Sequence, residues 1–336
     1  MTIKNQQVLL AARPVGAPKE SDFRIAESEV GEPKDGELLV KNVFLSLDPY
    51  MRGRMNEGKS YAARVELGDV MVGATVGEVI ASKHPKYAVG DVVVARTGWQ
   101  QYGISNGEGL MKVDPKRVPL SAYLGAVGMP GVTGWYGLND IGKPKAGETV
   151  VVSAAAGAVG TVVGQLAKSH GCRVVGIAGG KDKCAWLTEL GFDAALDHRD
   201  PELKDRLRDA TPKGIDIYFE NVGGAILDMV LARLNAFARI PLCGLVSQYN
   251  AIEPYPVKNF GSLLTNRVTL QGFIVSEHMD RWPQALAELS AHVAEGRIKY
   301  KETIADGLAS APKAFIGMLE GKNFGKQLVK VGSLGS

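Results

Sequence analysis

The segment from Thr149 to Gly160 has a residue pattern that suits the binding of a diphosphate. It reads as an apolar strand, a turn of small residues and the start of a helix with an apolar face. Such a turn lets backbone N–H groups and the helix N-terminus face a pyrophosphate. Gly157 and Gly160 would allow the close backbone approach, whereas Ala155 replaces the first glycine of the usual G-x-G-x-x-G. The pattern predicts a dinucleotide site, and an ordinary glycine-containing turn is the alternative.

The end of the next predicted strand indicates which dinucleotide is bound. An NAD site usually places Asp or Glu there, about 20 residues on, to hold the ribose 2′-hydroxyl. Here the strand ends in Ile177–Gly180 without an acid, and Lys181 and Lys183 follow on either side of Asp182. A lysine at this tip pairs with a 2′-phosphate, and His198-Arg199 after the following strand adds further donors. The sequence predicts NADP(H), against the alternative of two solvated lysines that open a surface helix.

Alternating strand and helix patterns surround this turn from about residue 121 onwards. Repeated β-α units of this kind predict a Rossmann fold, that is, a doubly wound parallel sheet with helices on both faces. The predicted strands are Thr149–Ser153, Arg173–Ala178, Ala194–Asp197, Ile215–Glu220, Ala238–Leu242 and Val268–Gly272. The predicted helices are Ala158–His170, Lys181–Leu190, Pro201–Ala210, Gly224–Leu234 and Pro283–Glu295.

The first 120 residues have a different pattern of apolar and turn-forming residues. Short apolar runs such as Leu38–Leu45, Val70–Ala81 and Val92–Ala95 are separated by glycine and proline, which favours a β-rich barrel or a partly open sheet. We therefore expect an α/β protein with two domains. The β-rich substrate domain takes residues 1–122 and 306–336, and the NADP-binding domain takes residues 123–305.

Composition excludes several classes of protein. The 336 residues carry 39 Lys and Arg against 36 Asp and Glu, a balance without the basic excess of nucleic-acid proteins. Two long uncharged stretches, Val118–Asn139 and Thr149–Ala167, are interrupted by glycines and are interpreted as buried globular segments rather than membrane spans. The three cysteines are widely spaced, which favours reduced thiols and a cytoplasmic location.

Several longer motifs, in the same order along nearly the whole chain, resemble those of a known family. It is the zinc-independent medium-chain dehydrogenase/reductase group, in the leukotriene/prostaglandin reductase and alkenal double-bond reductase branch. The motifs are Leu47–Gly53, Met129–Thr133, Gly157–Gly160, Glu220–Gly224, Cys243–Asn250 and Gly321–Lys326.

The resemblance implies a fold, a reaction and a set of binding residues. The first domain would be GroES-like, and the enzyme would use NADPH to reduce the C=C bond of α,β-unsaturated ketones or aldehydes without a metal. Members often form homodimers through the Rossmann domain. The implied pyrophosphate residues are Gly157, Ala158, Val159 and Gly160, and those for the 2′-phosphate are Lys183 and His198. The implied ribose and nicotinamide residues are Asn221, Cys243, Gly244, Ser247, Tyr249, Phe273, Ile274, Val275 and Asn323.

The first domain has few side chains that bind zinc. It holds no cysteine, and its only histidine is His84. A catalytic zinc needs three N, S or O ligands with one position open, and the usual cysteine and histidine set is missing. We therefore expect no metal site.

Two tyrosines are candidate catalytic residues for such a reduction. Hydride addition to the β-carbon of an enone moves charge to the carbonyl oxygen, and a neutral phenol can then supply a proton. Tyr249 follows a predicted strand end, where ligands bind in open α/β sheets. We expect it to donate the proton directly, or to hydrogen-bond to the nicotinamide ribose, which relays the proton to the enolate. Tyr50, in a predicted turn at Asp48-Pro49-Tyr50, is the second candidate. For both, a packed structural tyrosine is the alternative.

Three functions remain open on the sequence alone. The first is an NADPH-dependent enone or enal reductase, and the second is a quinone reductase, because the same hydride geometry serves a quinone. The third is an NADPH-binding protein without turnover. We expect a small-molecule substrate, a homodimer, and neither nucleic acid nor membrane as a partner.

Overall fold

The computed structural model describes residues 2–58 and 60–335 and divides the chain into two compact units. The first unit takes the residues up to Leu124 and those from Glu302 onwards, and the second is Gly125–Lys301. Within the described residues, every helix is too short or too polar to cross a lipid bilayer.

Strands and helices are numbered along the chain. The strands are β1 (Ile3–Leu10), β2 (Phe23–Val30), β3 (Leu38–Ser46), β4 (Thr75–Ser82), β5 (Val92–Ala95), β6 (Tyr102–Ser105), β7 (Met111–Lys112), β8 (Thr149–Ser153), β9 (Arg173–Ala178), β10 (Ala194–Asp197), β11 (Ile215–Phe219), β12 (Leu234–Leu242), β13 (Thr269–Gly272), β14 (Glu302–Asp306) and β15 (Lys326–Lys330). The α-helices are α1 (Tyr50–Arg54), α2 (Met129–Tyr136), α3 (Gly160–Ser169), α4 (Lys181–Glu189), α5 (Leu203–Ala210), α6 (Gly224–Leu231), α7 (Ser262–Thr265), α8 (Trp282–Ala294) and α9 (Ala311–Leu319).

The first unit is built on β-structure. One sheet has the order β14-β15-β3-β4-β5-β7, with β6 also paired to β3, and β1 and β2 form a separate antiparallel pair. Its main core contains a cluster of aromatic rings, in which Phe23 stacks on Trp99 with the ring centroids 5.6 Å apart. Phe315 of α9 meets the edge of Trp99 at 5.5 Å, so residues from both ends of the chain share one core.

The second unit is a six-stranded parallel sheet in the order β10-β9-β8-β11-β12-β13. Alternate strand residues face opposite sides. Val175 lies in the cluster that includes Leu203 and Leu207 of α5, whereas Gly176 lies against Leu187 of α4. Helices therefore cover both faces, and the predicted doubly wound sheet is confirmed.

The uncharged stretch Val118–Asn139 contains α2, and its residues from Ser121 to Leu138 are buried apart from Met129. Its interpretation as a buried globular segment is confirmed. Gly134 in α2 lies against Val163 of α3, where a Cβ would be 3.0 Å from a methyl carbon of Val163.

Several predicted boundaries are wrong, and two of them show why. The strand predicted for Val70–Ala81 begins only at Thr75, because the preceding residues run past the strand β1 and make only an isolated bridge between Val70 and Leu9. The helix predicted to end at Leu234 ends at Leu231, and Leu234 already belongs to β12. Phe237 in β12 has a positive φ of 64°, which shifts the register against β11 and breaks the alternation that identifies a strand.

Candidate active site

The turn after β8 presents unbonded backbone N–H groups at the start of α3. The N–H of Gly157 donates to the carbonyl of Ala154 over 2.9 Å and closes the turn. Among the described residues, the N–H groups of Ala158, Val159 and Gly160 donate no hydrogen bond to the chain. The first N–H groups of a helix lack partners within it, and here they are available to an anion.

Gly160 is needed for the close packing of this turn. A Cβ at this position would lie 2.5 Å from the carbonyl oxygen of Ala154 and 2.7 Å from the Cα of Ala155. At Gly157 the corresponding distance to the oxygen of Ala154 is 3.1 Å, which is tight but less severe. The turn thus keeps its close backbone packing because both side chains are absent, as the turn of a dinucleotide site requires.

Hydrogen bonds connect the carboxyl ends of β9 and β10 at the point where α4 begins. One carboxylate oxygen of Asp197 accepts the N–H groups of Gly180 and Arg199, each over 3.0 Å. These two backbone hydrogen bonds hold the pKa of Asp197 below its usual value. A Cβ on Gly179 would lie 2.7 Å from Nε2 of His198, so the imidazole lies against the end of β9.

Cationic groups gather at this same tip. Lys183, in the first turn of α4, has its pKa lowered by burial and, second, by the positive charge of Arg199. The guanidinium of Arg199 also lies 3.4 Å from the position of a Cβ on Gly180. A ligand phosphate would relieve the repulsion between the two cations, so the residues fit a 2′-phosphate.

A pocket of about 380 Å³ lies beyond the ends of β12 and β13. Its wall contains five of the residues predicted for the nicotinamide and four that sequence reasoning missed. The predicted ones are Cys243, Gly244, Tyr249, Phe273 and Ile274, and the missed ones are Leu242, Leu245, Gly272 and Glu277. Asn221, Ser247 and Val275 are outside this wall.

Tyr249 ends the turn Val246–Gln248 with its phenol oxygen directed back to the chain. The N–H of Leu245 donates to that oxygen over 3.2 Å. Gly244 allows this arrangement, because a Cβ there would lie 3.1 Å from the phenol oxygen. Burial and the nearby Glu220 raise the pKa of the Cys243 thiol to about 12, so the thiol in this wall is neutral at physiological pH.

Asn221 is held by the end of β8. Its backbone N–H donates to the hydroxyl of Ser153 and its side-chain N–H donates to the carbonyl of Ser153, both over 2.8 Å. Ser247 donates its hydroxyl to the carbonyl of Val222 over 2.6 Å, and Val275 is buried. Sequence reasoning missed Ser153, because its role depends on a residue 68 positions away.

Tyr50 lies in the other unit and starts the five-residue helix α1 rather than lying in the predicted turn. Arg54, four residues on, lies over its ring, with the guanidinium carbon 5.6 Å from the centroid. Burial, reinforced by the charge of Asp48, raises the pKa of the Tyr50 phenol. The carboxylate of Asp48 in turn forms a buried ion pair with Lys326 at 2.7 Å, which links the residues just before α1 to β15.

Asn323 also lies in the first unit, where its side-chain N–H donates to the carbonyl of Gly325 over 2.7 Å.

Across residues 2–58 and 60–335, no group of three or more His, Cys, Asp or Glu side chains is arranged to hold a metal ion.

Family models match both parts of the chain. Residues 6–113 match the N-terminal domain of oxidoreductase, and residues 158–291 match the family described as zinc-binding dehydrogenase. The NADPH-dependent curcumin reductase of Escherichia coli is 50% identical, with 98% of this chain and 97% of that protein covered. The NADP⁺-dependent 2-alkenal reductase of Nicotiana tabacum is 43% identical, with 98% of both chains covered.

A solved structure is similar over the same length. CurA from Vibrio vulnificus in complex with NADPH is 48% identical and superimposes with a TM-score of 0.94, with 98% of this chain and 99% of that chain covered. These likenesses agree with the motifs in both parts of the sequence. The chain belongs to the medium-chain dehydrogenase/reductase superfamily, in the leukotriene/prostaglandin reductase and alkenal double-bond reductase branch.

Proposed function

We propose that this protein reduces the C=C bond of an α,β-unsaturated aldehyde or ketone by hydride transfer from NADPH to the β-carbon, without a metal. The observation that carries the proposal is the carboxyl edge of the parallel sheet. It has an anion-binding turn at Gly157–Gly160, a cationic tip at Lys183 and a pocket at Tyr249. Curcumin and alkenal reductases are similar over the full chain.

The chain's own residues bind and orient the cofactor. The N–H groups of Ala158, Val159 and Gly160 hold the pyrophosphate, and Lys183 holds the 2′-phosphate with His198 and Arg199 beside it. Bound NADPH supplies the hydride. The wall containing Cys243, Gly244, Tyr249, Phe273 and Ile274 lies against the nicotinamide ring. Asn221, Ser247, Val275 and Asn323 are the further cofactor residues.

Tyr249 and Tyr50 are the proposed sources of protons and hydrogen bonds. The phenol of Tyr249 completes the reaction by donating its proton toward the α-carbon, directly or through the ribose hydroxyls. A phenol that stays neutral at pH 7 can do this, since free tyrosine titrates near ~10. Tyr50, whose raised pKa also keeps its phenol neutral, is the second candidate for this role.

The test is NADPH oxidation followed by absorbance with an enal, an enone and a quinone. We expect turnover with the enal and the enone, a strong preference for NADPH over NADH, and full activity after dialysis against a chelator. Turnover with the quinone alone would identify a quinone reductase. NADPH binding without consumption by any of the three substrates would identify a binding protein.

The edge strand β13 supports a homodimer. It ends the sheet order, all four of its residues are exposed, and Leu270 is 38% exposed. An open edge of this kind pairs with another strand, and in a two-fold dimer it meets its own copy. Leu270→Glu brings two carboxylates together and should convert the dimer to a monomer in light scattering, whereas Val15→Glu in the other unit should not. A wild-type monomer at all concentrations would contradict this proposal.

We also propose a cytoplasmic location. All three cysteines, Cys172, Cys184 and Cys243, are free thiols, which a reducing compartment maintains. Fractionation of cells with antibody detection tests the location.

A further inference from the structure

We infer that Glu220, which no part of the proposed mechanism uses, is the positioning residue that fixes Asn221 and the Cys243-Gly244 turn for the nicotinamide end of the cofactor. The inference rests on the proposed function. It concerns a carboxyl group that is completely buried at the middle of the sheet, at the edge where ligands bind.

The carboxyl group of Glu220 joins two strand ends. Its Oε1 accepts the hydroxyl of Ser153 over 2.8 Å and the N–H of Val222 over 2.5 Å. Ser153 ends β8, and Val222 lies in the turn that follows β11. The side chain thus sets the spacing between two neighbouring strands where they end.

The backbone of Glu220 reaches a third strand. Its carbonyl accepts the N–H groups of Cys243 over 2.9 Å and Gly244 over 3.2 Å, directly after β12. Cys243 and Gly244 both belong to the wall of the nicotinamide pocket. A shift of Glu220 would therefore move the pocket wall as well as Asn221.

The hydroxyl of Ser153 links Glu220 to Asn221. Because that hydroxyl donates its only hydrogen to Glu220, its lone pairs are left to accept the backbone N–H of Asn221. The carbonyl of Ser153 can only accept, so the NH₂ group of the Asn221 amide must face it. The amide oxygen is then turned the other way and presents an acceptor.

Because the amide oxygen of Asn221 accepts a hydrogen bond, it selects a ligand group that donates one. The carboxamide NH₂ of a nicotinamide and the hydroxyls of its ribose are such groups. The carbonyl of Ser153 thus determines which chemical face Asn221 offers. Glu220 holds Ser153 and the Asn221 backbone in place for that contact, although Glu220 itself touches no ligand.

A neutral amide can replace the Glu220 carboxyl. Burial raises the pKa of Glu220, although the N–H groups of Val222 and Gly223 and the hydroxyls of Ser153 and Tyr218 act in the opposite direction. The net shift favours a carboxyl without charge, and glutamine keeps the Oε1 acceptor at nearly the same volume. Leucine removes the acceptor.

The experiment compares two ligands by isothermal titration calorimetry. NADPH contains the nicotinamide end, and adenosine 2′,5′-bisphosphate contains only the adenosine and 2′-phosphate end. The variants are Glu220→Leu, Glu220→Gln and Ser153→Ala. Thr211→Val serves as the control, since it removes another buried hydroxyl, one that donates to Leu207 within the second unit.

We expect Glu220→Leu and Ser153→Ala to weaken the binding of NADPH about 10-fold, as the loss of one buried hydrogen bond predicts. The binding of the bisphosphate should weaken by less than about 2-fold. Glu220→Gln should recover most of the affinity lost in Glu220→Leu. Thr211→Val should leave both affinities unchanged. Ser153→Ala keeps the test valid if Glu220→Leu does not fold.

Three results would overturn the inference. Equal weakening of both ligands would mean that Glu220 only supports the fold, and unchanged NADPH affinity in Ser153→Ala would mean that Asn221 is fixed by other contacts. Failure of Glu220→Gln to recover binding would mean that the carboxylate charge matters. If the wild-type protein bound neither ligand, the proposed function itself would fail.

Discussion

At the scale of single residues, the proposed choice of cofactor depends on Lys183 and Arg199. Two cations close together in a partly buried place destabilise each other, and the lowered pKa of Lys183 reflects that repulsion as well as burial. In the proposed binding mode, a 2′-phosphate would pair with both side chains and relieve this repulsion. NADH lacks this group and gains nothing from either residue.

Replacing Lys183 with alanine should raise the dissociation constant of NADPH by about 10- to 100-fold, the worth of a charge-assisted hydrogen bond. The dissociation constant of NADH should stay within about 2-fold. Fluorescence titration of both cofactors measures this, and Lys204→Ala on the exposed side of α5 is the control. Equal losses for NADPH and NADH would remove Lys183 from the phosphate site.

The affinity for NADPH should also depend on alkaline pH. The protonated form of Lys183 binds phosphate, so affinity is full at neutral pH and falls as pH rises through the lysine's pKa, which lies below 10.5. In Arg199→Ala the fall should occur at higher pH, because one cause of the lowered pKa is gone. Titrations across the alkaline range test this, and an unchanged profile in Arg199→Ala would contradict the coupling.

Tyr249→Phe tests the proton donor. Loss of a general acid should lower kcat by about 10²- to 10⁴-fold, while the affinity for NADPH changes little. Steady-state kinetics and a binding titration separate the two quantities. Tyr87→Phe is the control, because the Tyr87 hydroxyl donates to Leu110 in the first unit. An unchanged kcat would show that Tyr249 is a structural tyrosine.

The strand, turn and helix around Gly160 form the element that the sequence predicts best. The strand bounds Thr149–Ser153 and Arg173–Ala178 agree with the structure, because adjacent valines and other β-branched residues give a strong local signal. The helix begins at Gly160 rather than Ala158, since the small residues before it form the turn. The local residue pattern was sufficient to predict the strand, turn and helix, but not the residue at which the helix begins.

Gly160→Ala should disturb this element. The added methyl group would lie 2.5 Å from the carbonyl oxygen of Ala154, so the turn must open. We expect a loss of about 1–3 kcal/mol in the free energy of unfolding and a loss of NADPH affinity of about 10-fold or more. Denaturant unfolding and NADPH titration measure the two effects.

Gly317→Ala is the matched control for that change. Gly317 lies in α9, where a Cβ would be 3.8 Å from Lys322, and alanine favours a helix over glycine. Its stability should be equal or higher. Unchanged NADPH binding in Gly160→Ala would contradict the assignment of the phosphate turn.

Glu220 shows what the sequence could not predict at the scale of the whole molecule. Its hydrogen bond to Ser153 joins residues 67 positions apart, and the parallel order of the strands alone brings them together. Residue runs and motifs were sufficient to predict two compact units, whereas the residues of the NADPH site stay a prediction. The network beneath the site could not, because a buried glutamate after a strand has no local pattern that separates it from an exposed one.

The central claim is the destination of the hydride, and isotope transfer tests it directly. The protein is supplied with NADPH carrying deuterium at C4 of the nicotinamide, prepared separately for each face of the ring, together with an α,β-unsaturated ketone. NMR of the product should show a saturated ketone with deuterium at the β-carbon from one of the two preparations. An allylic alcohol with deuterium at the former carbonyl carbon, or no NADPH-dependent product with either preparation, would contradict the account.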